Sequence, residues 1–160
     1  MGVDALGLTM HFAEHQTFDE IQTHLEEWPH VKLQPSEAEG ARVSVGEYDD
    51  GTHVIEFQLS QDANHCTLAA RFSLCSYDSI DDIFVEIVKH ILSDRDAEVW
   101  LMTSALEEKN HYPLGELSWL ASALPDEIKA MRQYWQSLLR KKRGHIRVKD
   151  SCSFVGLKTT

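Results

Sequence analysis

Cysteine is scarce and has no pattern: Cys66, Cys75 and Cys152 form an odd set without a C-x-x-C pair. That excludes a disulfide framework and a zinc ribbon, and it suits a reducing compartment. Only four prolines and eight glycines punctuate 160 residues, and neither recurs at a fixed period. Collagen-like repeats and low-complexity linkers are therefore excluded. No apolar run approaches the roughly 18 residues that a membrane helix requires. There is no G-x-G-x-x-G and no Gly-Lys-Ser or Gly-Lys-Thr phosphate loop, so nucleotide binding has no support. Met1 to Leu6 carry neither the positive region nor the apolar core of a signal peptide, and Leu6 stands where a myristoylation motif needs Ser or Thr. The expectation is a cytoplasmic protein.

Basic residues are the other shortage, and it is local. Residues 1–64 hold only Lys32 and Arg42 against thirteen acidic residues, a net of −11. Residues 65–136 add −6 and residues 137–160 return +6, which restores the overall −11. Such a body repels nucleic acid and anionic lipid and attracts basic proteins through a field that salt weakens.

What is present predicts one domain over residues 1–160. Leu8, Met10 and Phe12 alternate as in a half-buried strand. Thr17-Phe18-Asp19-Glu20 is a capping box, and Phe18, Ile21, Leu25 and Trp28 share a helical face that Pro29 ends. A short strand over 31–33 follows. Strands over 42–48 and 53–60 meet at Asp49-Asp50-Gly51, and 66–74 alternates cleanly after the turn Asp62-Ala63-Asn64. Ser79 with Asp82 opens a second helix, over 80–93, and Glu98–Met102 reads as a central strand. The predicted class is α+β: a mainly antiparallel sheet of five to six strands in the order β-α-β-β-β-β-α-β, covered by helices. Residues 104–144 read as a helical subregion ending in a helical pair, broken at Pro113 and Pro125, and 145–160 as a closing strand or tail.

His11-Phe12-Ala13-Glu14-His15 matches H-x-x-E-H. The string resembles the inverted zinc-peptidase signature of the pitrilysin-like family. That resemblance implies zinc held by His11 and His15 and water activated by Glu14. The capping box, however, starts the helix after both histidines, so the residues themselves read as surface histidines, with no metal and no cofactor. Arg140 to Lys149 is the one basic segment, suited to nucleic-acid phosphates or to complementing a helix C-terminus.

With no supported catalytic motif, the expectation is a non-enzymatic binding module. Its concrete form is an inhibitor or immunity protein that neutralises a basic cognate toxin by covering the active cleft with Glu37, Glu39, Glu47, Asp49, Asp50 and Glu56. Trp119 lies opposite the Leu117, Ala121 and Leu124 stripe of its helix, so it is either wedged against a neighbouring helix or exposed to a partner as an interface anchor. In an interface, Trp119→Ala is expected to cost about 2 kcal/mol of affinity with little change in melting temperature. A loss of about 3–5 kcal/mol of stability would make it a packing residue instead. One thermal melt and one binding assay separate the two.

Overall fold

A computed structural model of the chain describes residues 5–37, 40–93, 95, 97–103, 106–112 and 117–141. Strand β1 spans Ala5–Phe12, with Leu6, Leu8, Met10 and Phe12 buried and the intervening residues on the opposite face. Helix α1, Phe18–Glu26, begins at the capping box: the Thr17 hydroxyl accepts the Glu20 amide at 3.3 Å, and the Glu20 carboxylate accepts the Thr17 amide at 3.0 Å. Strands β3 (Arg42–Asp49), β4 (Val54–Asp62) and β5 (His65–Ser73) form an antiparallel meander, and β2 (Val31–Ser36), longer than the expected 31–33, pairs with β3 to extend it. Helix α2 (Ser79–Leu92), strands β6 (Ala97–Thr103) and β7 (Leu106–Tyr112), and helix α3 (Leu117–Lys141) complete the described elements.

All seven described strands join one sheet, ordered β2-β3-β4-β5-β1-β6-β7, and every neighbouring pair is antiparallel. The first strand thus sits inside the sheet, between β5 and β6. The even residues of β1, alternate residues of β4 and β5, and the apolar stripe of α2 form one core, which Leu124 and Ile128 of α3 complete. At about 1.5–3 kcal/mol for each fully buried large apolar side chain, this layer is the main stabilising term. Among the described residues no helix is long and apolar enough to cross a membrane.

The class, the antiparallel run of strands and the places of the first two helices match the expectation, although the sheet has seven described strands and not five to six, the first helix stops at Glu26 before Trp28, and residues 145–160 lie outside the described residues; three further details differ. Residues 106–112 are a strand, not helix, because the open edge of β6 offers a hydrogen-bond ladder that outweighs the helical propensity of Glu107, Glu108 and Lys109. The C-terminal helical pair is one 25-residue helix that runs through Pro125. Proline inside a helix costs about 3 kcal/mol, and burial of Leu124 and Ile128 on the same stripe is of a size to offset it. Ser79 is the first residue of α2 and not its cap; Asp78 occupies the cap position without a side-chain hydrogen bond.

Arg132 fastens α3 to the rest. It is 7% exposed, donates from Nη1 to the Leu74 carbonyl at 2.8 Å and from Nε to Asp81 Oδ2 at 3.2 Å, and reaches the second Asp81 oxygen through Nη2. Arg132→Met is expected to destabilise the fold by about 3 kcal/mol, since it leaves a carboxylate and a buried carbonyl unpaired. Asp78→Asn, at the solvent rim of the same cluster, should change stability by under about 1 kcal/mol. Denaturant titration of both variants checks the contrast, and equal losses would contradict it.

Candidate functional site

The three helices share one face of the sheet, and among the described residues nothing covers the other face where β1, β3, β4 and β5 meet. There the odd residues of β1 and β5 are small: Ala5, Gly7, Thr9 and Ala69. Longer side chains on β3 and β4, among them Val45, Glu47 and Gln58, rise beside them. The difference in height hollows a groove of about 580 Å³ across four strands. Val45 is 40% exposed at its wall.

Strand register places charges in a row across this face. Lys32 lies opposite Glu47, Glu47 opposite Glu56, Glu56 opposite Arg71, and Arg71 opposite Gly7. Arg71 Nε donates to Glu56 Oε2 in an ion pair with both side chains about half exposed. Two carboxylates directly opposite on neighbouring strands repel each other, and the Arg71 pair on Glu56 offsets only part of that cost.

Glu47 and Glu56 therefore face the groove together, and Asp49 follows Glu47 on the same side of β3, its carboxylate accepting the Gly51 amide at 2.8 Å. Asp50 belongs to the hairpin itself. Its carboxylate accepts the Tyr48 hydroxyl at 2.9 Å, the Thr52 and His53 amides at 2.9 and 2.7 Å, and His53 Nδ1 at 2.9 Å. Burial opposes its charge, but the donors from His53, Thr52 and Tyr48 together hold its carboxyl well below the usual carboxylate range. Glu37 is exposed just beyond β2, Glu39 lies outside the described residues, and Trp119 falls within α3 with its side chain outside them. Of the basic segment, only Arg140 and Lys141 are described.

The H-x-x-E-H string does not assemble. His11 is on β1 with Nδ1 3.2 Å from the Thr67 hydroxyl, while Glu14 and His15 occupy the turn before α1 and Glu14 pairs with His65 at 3.6 Å. The helical spacing that would bring both imidazoles to one ion is absent, because the capping box delays the helix until Phe18.

Two groupings were not visible in the sequence. His53 Nδ1 donates to Asp50 while Nε2, at 2.6 Å, accepts from the Ser79 hydroxyl, which reproduces the order of a Ser–His–Asp relay. Acyl transfer also needs free donors for an oxyanion. The Ile80 and Asp81 amides beside Ser79 are already bonded to the Tyr77 and Asp78 carbonyls at 3.0 Å, and Asp78, Asp81 and Asp82 gather negative charge there. The relay is a clasp that ties the β3–β4 hairpin to α2. The second grouping joins His24 on α1 and Glu27 at its C-cap to His90 on α2, with imidazole rings stacked at 4.2 Å. A sequence signal existed only for half of it, the i, i+3 spacing of His24 and Glu27.

No protein-family model matches the chain, and no curated protein is significantly similar to it.

Tyr48 reports on the clasp. Its burial, and next the hydrogen bond it donates to the charged Asp50 carboxylate, push its phenol from 10.0 up to about 12. The folded value lies above the unfolded one, so the stabilising contribution is complete below pH 10 and disappears as pH rises towards 12. The interval corresponds to about 2–3 kcal/mol. Denaturant titrations between pH 8 and pH 12 should show stability falling in the native chain and a flatter alkaline limb in Tyr48→Phe. An identical slope in both would refute the assignment.

Proposed function

We propose that the protein is a binding module that captures a basic protein on the bare face of its sheet, as an inhibitor of the immunity type does with a cognate toxin. The observation that carries this reading is Glu47 directly opposite Glu56 on an uncovered, hollowed face. A solvated surface gains nothing from adjacent carboxylates across a strand pair, whereas a partner's guanidinium or ammonium group relieves their repulsion on arrival.

The exposed Glu56–Arg71 pair supports the same reading. Ion pairs that open to solvent contribute about 0–1 kcal/mol, so a partner's arginine can replace Arg71 on Glu56 at little cost. Gly7, Thr9 and Ala69 leave room for that side chain to lie flat against the sheet, and Val45 offers an apolar edge for its methylene stem. At longer range, the −11 of residues 1–64 steers a cationic partner to this half of the molecule. Inhibition follows from occlusion, without any bond made or broken.

The partner is to be captured from an extract of the native host, identified, and titrated against the purified chain at rising salt. The expected result is a basic protein whose association slows with salt, and whose affinity drops about tenfold or more with Glu47→Lys and Glu56→Lys while the melting temperature stays near that of the native chain. An acidic partner, a salt-independent affinity, or full binding by both variants would remove the reading.

A further inference from the structure

Where α1 meets the last turn of α2, two histidines 66 residues apart in the chain exchange hydrogen bonds with each other's backbone. His24 Nε2 donates to the His90 carbonyl at 2.7 Å, and His90 Nε2 donates to the His24 carbonyl at 2.8 Å. A carbonyl only accepts, so the first bond fixes the proton of His24 on Nε2 and leaves Nδ1 as the atom aimed at Glu27. Nδ1 lies 3.1 Å from Glu27 Oε2. An imidazole lone pair and a carboxylate oxygen face each other at that distance only with a cation between them.

We propose that the cation is a divalent transition metal of the zinc class, held by His24 Nδ1, Glu27 and His90. A proton needs only the His24–Glu27 pair, but a third ligand group stands beside it, one ring rotation from the same point. His90 Nε2 is 4.0 Å from Glu27 Oε2, and one ligand atom from each of the three residues lies within 4.8 Å of the others. Tetrahedral zinc with bonds of about 2.0–2.2 Å sets its ligand atoms about 3.3–3.5 Å apart, so His24 and Glu27 are nearly in place while the His90 ring must rotate and close by up to about 1.5 Å. The His24 Nε2 bond to a carbonyl is the outer contact that metal-ligating histidines ordinarily make, fixing tautomer and ring direction.

Imidazole and carboxylate donors together suit zinc and its neighbours in the first transition row. Both histidine side chains are largely covered, at 16% and 24% exposure, with Trp28 packed on the His90 ring, whereas Glu27 is 59% exposed. The open side leaves the remaining coordination positions to water. On binding, His90 turns Nε2 off the His24 carbonyl, and its proton moves to Nδ1. The ion then replaces one interhelical hydrogen bond with a bridge between α1 and α2.

Protein purified without a histidine tag and stripped with chelator is to be titrated with Zn²⁺ by calorimetry and with Co²⁺ by visible absorption. One equivalent is expected, together with a rise in melting temperature of about 5–10 °C at free zinc about 100 times the Kd. Glu27→Gln is exposed and nearly isosteric; it should keep the fold and weaken binding by about tenfold or more. His24→Ala should abolish the stoichiometric site, and if that variant fails to fold, Glu27→Gln decides. His65→Ala, at the separate His65–Glu14 pair, should bind as the native chain does. Absence of stoichiometric binding, affinity undiminished in Glu27→Gln, or loss in His65→Ala would overturn the proposal.

Discussion

The alternation of β1 is the constraint on which the rest of the molecule depends. Because β1 pairs with β5 on one side and β6 on the other, its two faces become the two faces of the sheet. Leu6, Leu8 and Met10 on one side demand cover and receive it from the helical layer; Gly7 and Thr9 on the other are too small to fill space. A register slip of one residue would exchange the two sets, putting leucines in water and a glycine in the core. The groove and the core are therefore opposite consequences of a single strand.

Around that strand, polar contacts hold the periphery in place. The Asp50 network closes the β3–β4 hairpin, and His53 carries it to Ser79 at the start of α2. Arg132 holds α3 against Asp81 in the first turn of the same helix. Helix α2 is thus fastened at its N-terminal end by two polar clusters and at its C-terminal end by the His24–His90 exchange. Its apolar stripe meanwhile rests on the sheet. A helix held in this way fixes the far side of the sheet, and with it the height and register of Glu47 and Glu56.

The acidic balance acts on two scales. Summed over the first 64 residues it is a long-range field that salt screens. Locally the carboxylates take different parts: Asp50 closes a turn, Asp81 receives Arg132, Asp19 pairs with Arg42, and Glu47 and Glu56 line the groove. Composition measures the first scale and cannot sort the second, because a carboxylate that caps a turn and one that faces a groove contribute the same formal charge.

Much was legible in the sequence wherever the deciding forces are local. The capping box at Thr17 and Glu20, the two-residue period of β1 and β5, and the helical stripe of α2 depend on residues within about a turn of each other, and each took the expected form. So did the mainly antiparallel α+β architecture, which follows from the order of those elements. Tertiary structure decided whatever required a distant partner. Residues 106–112 became a strand because β6 had an unpaired edge, and Pro125 stayed within a helix because Leu124 and Ile128 found a core to fill. His53 reached Ser79 only because the β3–β4 hairpin lies beside α2, and His24 met His90 only because two helices pack side by side. Periodicity records which face a residue occupies, but a hydrogen-bond donor, a covering side chain or an opposing charge is supplied by whatever the fold brings near, and no local pattern encodes that.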